Sequence, residues 1–154
     1  MKTIREFLRL CRPHQWYKNL LVFLALFFSG NLFNTGLLLA AACSFAILVL
    51  ISSANYAIND ILDRRKDLLS PEKRKRPVAA GKIKAWQALA FGSALAFFAF
   101  FFSFLIGKAF FLSALALFLL SLAYSFALKK IFLLDIISIS ANFVIRAVAG
   151  ALAI

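Results

Sequence analysis

Five apolar runs, at residues 16–33, 37–58, 85–106, 109–128 and 132–154, follow one another with only short polar segments between them. Each comes close to or exceeds the ~17–25 residues that an α-helix needs to cross a bilayer. Of the 154 residues 64% are hydrophobic and 19 are Phe, more apolar surface than a soluble domain of this length can hide. The expected fold class is therefore all-α: a polytopic membrane helix bundle of about five transmembrane helices, forming a single membrane domain over residues 1–154.

The formal net charge of +12 would suggest a nucleic-acid surface on a soluble chain. Here the charges sit in short segments between apolar runs, which is the pattern of membrane topology, and no nucleic-acid partner is expected. Of the 18 Lys and Arg residues, five fall in 1–18, nine in 59–84 and two at 129–130, leaving only Lys108 on the other side and Arg146 inside a run. Basic residues concentrate on the cytoplasmic side of membrane proteins, so the N-terminus and the 59–84 segment are expected to be cytoplasmic. In residues 1–15, Lys2, Arg5, Arg9 and Arg12 alternate with Phe7, Leu8 and Leu10 up to Pro13, as in a segment lying on an anionic bilayer surface. Trp16 and Tyr17 follow where an interfacial aromatic belt belongs. Cys11 and Cys43 have no metal-ligand spacing and read as two ordinary thiols. No small-residue cleavage site follows the basic N-terminus, so a cleavable signal peptide is not expected.

The segment 59–84 is the one long polar stretch, and its first residues hold three of the six acids, Asp60, Asp63 and Asp67. If the preceding helix continues, Asn59, Asp63 and Asp67 recur every fourth residue and share a face. Two like charges on one face repel, and a hard divalent cation removes that repulsion. Mg²⁺ takes oxygen ligands and commonly binds through one or two carboxylates plus substrate phosphates. Lys73, Arg74 and Arg76 follow closely, suited to phosphate oxygens through charge-assisted hydrogen bonds. The competing reading is a solvated helix end on which the acids pair with Arg64, Arg65 and Lys66. Acids beside the cytoplasmic end of a span, where cations are cheaper, favour a Mg²⁺–diphosphate site, with Asn59, Asp63 and Asp67 as metal ligands and Asp63 and Asp67 as its catalytic carboxylates.

Other polar residues extend this site. Arg146 lies inside the last run, where a charge is costly and faces a protein interior or cavity. It is expected to meet a carboxylate or a phosphate, with Asn142 one turn away on the same face. Asn55, one turn before Asn59, carries the polar face into the membrane as a substrate contact, and Asp60 belongs to the same substrate-binding set. Lys18 reads equally as a headgroup contact and as a snorkelling anchor, with Gln15 and Asn19 beside it. His14 reads as interfacial, and Asp135 as a cap or a partner of Lys129 or Lys130. The residues 97–104, dense in Phe, are expected to face lipid rather than to line a groove.

The run Asn59-Asp60-x-x-Asp63-x-x-x-Asp67, followed by Lys73-Arg74-x-Arg76-Pro77 and Gly81, resembles the first aspartate-rich motif of the UbiA superfamily of intramembrane prenyltransferases. Arg12-Pro13-x-Gln15-Trp16-x-Lys18-Asn19, Lys73-Arg74-x-Arg76-Pro77-x-Ala79-Ala80-Gly81, and Leu134-Asp135 through Phe143, Arg146 and Gly150 are similar to its decaprenyl-phosphate phosphoribosyltransferase branch. The resemblance implies the N-terminal part of a nine-helix bundle in a bacterial plasma membrane. It also implies Mg²⁺, a diphosphate donor and a polyprenyl phosphate or other lipid acceptor. Such proteins carry a second aspartate-rich motif, whereas here Asp135 stands alone. The chain is therefore expected to be incomplete and inactive by itself, with the rest of the pocket supplied by a second half-chain or an oligomer. Phosphoribosyl transfer is the expected reaction. One alternative is prenyl transfer from a prenyl diphosphate to an aromatic or lipid acceptor. Another is a transporter or multi-span subunit with an ion-coupling acidic motif, although a transporter would place its acids nearer the bilayer midplane.

Overall fold

The computed structural model describes residues 2–154. Its helices are α1 (Lys2–Leu10), α2 (Leu24–Phe28), α3 (Thr35–Leu62), α4 (Arg64–Leu68), α5 (Ala85–Ile106), α6 (Lys108–Phe126) and α7 (Phe132–Ala153), with a 3₁₀ segment at Pro13–Phe23. Among the described residues there is no strand. Four helices, α3, α5, α6 and α7, are long and apolar enough to cross a membrane.

The apolar run at 16–33 takes a different form from the continuous α-helix that its hydropathy suggests. It is the 11-residue 3₁₀ segment followed by the five residues of α2. A 3₁₀ helix rises ~2.0 Å per residue against ~1.5 Å for an α-helix. Residues 13–28 together rise about 30 Å, the first three of them preceding the apolar run. Its geometry is set from outside: Gly150 of α7 lies so close that a Cβ there would sit 2.0 Å from the Val22 carbonyl oxygen.

Asn34 starts α3, its Oδ1 accepting from the backbone N–H of Gly36 and Leu37 at 3.1 and 3.2 Å, which satisfies two of the donors a helix start leaves unpaired. At 28 residues α3 is about 42 Å long, more than the bilayer core requires, so its last turns carry the acidic motif clear of the apolar stretch. The helix breaks at Asp63, yet helical spacing survives: Asp63 N–H donates to the Asn59 carbonyl at 2.9 Å and Asp67 N–H to the Asp63 carbonyl at 2.8 Å. On its other side α3 packs along α5, where a Cβ at Gly92 would meet Ala57 Cβ at 3.2 Å. Small residues at such a crossing let two backbones approach.

One core cluster (Val22, Leu48, Ile51, Ala99, Phe110, Leu117, Ala149) ties the 3₁₀ segment, α3, α5, α6 and α7 together. A second (Leu10, Ala57, Val78, Ile83, Ala88) fastens α1 and the 59–84 segment to the motif end of α3 and α5. Phe7 of α1 packs against Phe91 with ring centroids 5.0 Å apart and the rings tilted, while Ile4 and Leu8 face outward. On α5, Phe97, Phe98, Phe101, Phe102 and Phe104 are exposed while Ala96 and Ala99 are buried, so the aromatic side faces outward and the small side faces the bundle.

Candidate active site

Arg12 enters the site from an unusual backbone. It is the one described non-glycine residue with positive φ, at 50°, a conformation that costs about 1 kcal/mol or more. The turn is held by Trp16 Nε1 and Ser53 Oγ, which donate to the Cys11 carbonyl at 3.1 and 3.4 Å. Burial pushes the Cys11 thiol up, and both cysteines are free. So aimed, the Arg12 guanidinium donates to the buried Asp60 carboxylate and lies 5.0 Å over the Tyr56 ring.

Three acids of the motif find three different partners. Asp60, 1% exposed, takes Arg12 on one side and has Arg76 at 3.7 Å on the other. Asp67 accepts from Arg76 Nη1 at 2.8 Å. Asp63 accepts from Lys129 Nζ at 2.7 Å on both oxygens, and the same ammonium lies 3.4 Å from Asn59 Oδ1. The neighbours Arg64, Arg65 and Lys66 are exposed, and the described ion pairs of these acids go instead to residues distant in sequence. Lys73 and Arg74, expected to act with Arg76, point outward from a 3₁₀ turn at Lys73–Lys75, and only Arg76 turns in.

Beside the motif lies a cavity of about 270 Å³ between the 3₁₀ segment, α3, α6 and α7. Its lining is Arg12, Lys18, Ser52, Asn55, Tyr56, Asn59, Ser121, Tyr124, Ser125, Ile139, Asn142, Phe143 and Arg146. Arg146, 7% exposed, is braced by donating from Nε to Asn19 Oδ1 at 2.8 Å and from Nη1 to the Asn142 carbonyl at 2.7 Å. Ser52 Oγ donates to the same Asn19 oxygen at 3.2 Å. Asn55 donates from Nδ2 to the Ile51 carbonyl at 3.2 Å and leaves its buried Oδ1 with no partner. The cavity thus gathers three cations, three amides and five hydroxyls against two purely apolar side chains. Arg12 also borders a second cavity of about 340 Å³, lined by Arg9, His14, Gln15, Asp60, Glu72, Lys75 and Arg76 among others.

Of the residues singled out in the sequence, Asn55, Asn59, Lys18 and Arg146 meet at the first cavity, while Asp60 and Arg76 line the second. Asp63 stands with Asn59 around Lys129, and Asp67 with Arg76. Asp135 does not pair with Lys129 or Lys130: the described ion pairs include none for it, and its buried Oδ1 has no hydrogen-bond partner. Lys129 is drawn instead to Asp63, the carboxylate that faces it across the bundle end. Arg12, Lys129 and Tyr124 line or meet the site from other elements, which spacing alone does not reveal, and Tyr56 joins from α3 itself, beside Asn55.

The oxygen set tests the fit of a divalent cation. Asn59 Oδ1 and the Asp63 carboxylate already converge on a cation, the Lys129 ammonium, and a hard metal completed by ligand phosphates suits the same donors. Asp67 lies outside that pair, and among the described residues no three His, Cys, Asp or Glu side chains gather closely enough to hold an ion alone.

Comparison with known proteins agrees with this architecture. The chain is 36% identical over 146 residues to the decaprenyl-phosphate phosphoribosyltransferase of Mycolicibacterium smegmatis, covering 92% of this chain and 46% of that enzyme. A solved structure described as digeranylgeranylglyceryl phosphate synthase superposes with a TM-score of 0.85 at 22% identity, over 99% of this chain and 54% of the other. A UbiA homolog from Archaeoglobus fulgidus, bound to GPP and Mg²⁺, superposes with a TM-score of 0.72 at 24% identity, over 95% of this chain and 53% of the other. The chain spans less than half the length of the curated relatives that it matches over most of its own. The family model for UbiA prenyltransferases matches residues 19–154, and with it the chain belongs to the UbiA prenyltransferase family, as an integral membrane protein.

Proposed function

We propose that this chain carries the donor site of an intramembrane transferase that displaces diphosphate from phosphoribosyl diphosphate and joins the ribosyl carbon to a polyprenyl phosphate. The observation that supports the phosphoribosyl donor is the cavity lining, in which only Ile139 and Phe143 are purely apolar. A ribosyl phosphate offers hydroxyls and a phosphate to Asn55, Asn142, Ser121, Ser125 and the cations. Ser121, Ser125 and Asn142 already bond within the protein, but Asn55 Oδ1 is buried without a partner, and the first isoprene units of a prenyl donor would leave it so at ~1–3 kcal/mol. Discrimination of this kind is strong where a site is built to hydrogen-bond its substrate.

As the bond to diphosphate breaks, positive charge grows on the ribosyl carbon and negative charge on the leaving group. Asn59 and Asp63 would hold Mg²⁺, which would supply Lewis-acid neutralisation of that diphosphate, while Asp67 holds Arg76 beside the motif. Arg12, Lys18 and Arg146 bind and orient phosphate oxygens around the cavity, acting electrostatically where water is scarce. Asp60 acts through Arg12 and Arg76 rather than on the substrate itself. The exposed Lys73 and Arg74 are left for the acceptor's phosphate, whose lipid tail lies in the bilayer. The end holding residues 59–84 faces the cytoplasm of a bacterium, whence a soluble donor arrives.

A second reading, prenyl transfer, is favoured by the A. fulgidus homolog, which binds GPP and Mg²⁺. Membranes containing the protein, given a polyprenyl phosphate and either labelled phosphoribosyl diphosphate or labelled prenyl diphosphate, separate the two. Label is expected to enter lipid from the phosphoribosyl donor. Incorporation from the prenyl donor alone would overturn the phosphoribosyl assignment.

A further inference from the structure

The ammonium of Lys129 stands where the oxygens of the acidic motif converge, 2.7 Å from both Asp63 carboxylate oxygens and 3.4 Å from Asn59 Oδ1. It reaches that point from the 3₁₀ turn Leu128–Lys130 between α6 and α7. Nothing about sequence proximity selects it. Arg64, Arg65 and Lys66 adjoin Asp63 and remain exposed, so the fold has set a distant lysine at this place in preference to three adjacent cations. Asn59 and Asp63 are also the residues assigned to a divalent cation above. A metal entering between them must evict an ammonium tethered beside it.

We infer that Lys129 is the resident counter-ion of the diphosphate site, neutralising Asp63 in the empty protein and yielding it when a divalent cation binds. This rests on the metal–diphosphate reading. The exchange raises local charge at the moment when a polyanion must be held: Asp63 passes from a +1 to a +2 partner, and the released ammonium becomes available to phosphate oxygens. Lysine suits the task, being a compact point charge on a flexible stem, whereas the planar fork of arginine would grip a carboxylate bidentately and yield it less readily.

Manganese binding, measured by electron paramagnetic resonance on the chain in lipid nanodiscs, tests this without any turnover. Lys129→Met is expected to tighten Mn²⁺ binding about tenfold, the size of one charge-assisted hydrogen bond. Lys129→Arg is expected to weaken it, and Asp63→Asn to abolish it. In the unmodified protein, amine acylation of Lys129 read by mass spectrometry should rise on adding Mn²⁺, a measurement that needs no variant to fold. Mn²⁺ binding that is lost in Asp63→Asn but unchanged in Lys129→Met, or acylation unmoved at saturating metal, overturns the counter-ion role alone. No Mn²⁺ binding to either the wild type or Lys129→Met overturns both that role and the metal site.

Discussion

At the scale of single residues, Asp60 is the most deeply buried acid of the motif. Its carboxylate is buried, held by Arg12 from before the first membrane segment and by Arg76 from the polar loop. Breaking a buried ion pair by removing one partner leaves an uncompensated charge and costs ~3–5 kcal/mol. Asp60→Ala is therefore expected to lose about 3 kcal/mol in reversible unfolding titrated with sodium dodecyl sulfate, whereas Arg64→Ala, at an exposed position, should change stability by less than ~0.5 kcal/mol. At the surface, Lys82 donates a hydrogen bond to Glu6 at 3.0 Å, and that bond, with Arg9 beside it, holds the Glu6 carboxyl below the usual carboxylate range. A carboxyl with a lowered folded-state pKa contributes above its unfolded value and loses that contribution as pH falls through the folded one. Amide exchange in α1, corrected for intrinsic rates, should thus be slow at neutral pH and rise below the carboxylate range. Unchanged protection at acidic pH would show that the Glu6 tie does not hold α1. The fourfold spacing of Asn59, Asp63 and Asp67 was legible in the sequence, but their partners were not. Arg12 meets Asp60 across 48 positions and Lys129 meets Asp63 across 66, separations that local pattern does not encode.

At the level of elements, the 3₁₀ segment and α7 form the unit that builds the cavity wall. Asn19 receives both Ser52 of α3 and Arg146 of α7, so one side chain in the 3₁₀ segment registers two membrane helices. Gly150 brings α7 against the backbone of Val22, where a Cβ would lie 2.0 Å from a carbonyl oxygen. Gly150→Ala must therefore force the two apart, and a loss of about 3 kcal/mol or more is expected from overpacking against rigid backbone, together with loss of the Asn19–Arg146 contact. Gly92→Ala, which would meet a side-chain methyl at 3.2 Å, should cost about 1 kcal/mol or less after a small shift. Equal stability of the two variants in the same unfolding titration would contradict the packing described here. The four long helices could be read from apolar runs because burial in lipid needs little more than length and hydropathy. The winding of the first run could not, since 3₁₀ and α forms share a hydropathy profile and the choice follows from tertiary contacts. In the sequence the basic cluster at 73–76 has the look of one unit, because composition has no direction. The turn that sends Lys73 and Arg74 outward and Arg76 inward is a backbone property.

For the molecule as a whole, cations dominate one end of the bundle and a polar cavity opens beside the acids there. The proposed topology, with this end cytoplasmic, predicts that a cysteine placed at the exposed Leu69 is labelled by a membrane-impermeant maleimide only after the cytoplasmic side is opened. Labelling from outside intact cells would reverse the orientation. The central claim, that the cavity and motif together bind phosphoribosyl diphosphate, is tested most directly by equilibrium binding of that donor to the chain in nanodiscs with Mg²⁺. Saturable binding is predicted, lost in Asp63→Asn, weakened about tenfold or more in Arg146→Gln as a charged contact is removed, and not displaced by geranyl diphosphate. Saturable binding of geranyl diphosphate that both substitutions remove, with none of phosphoribosyl diphosphate, would contradict it.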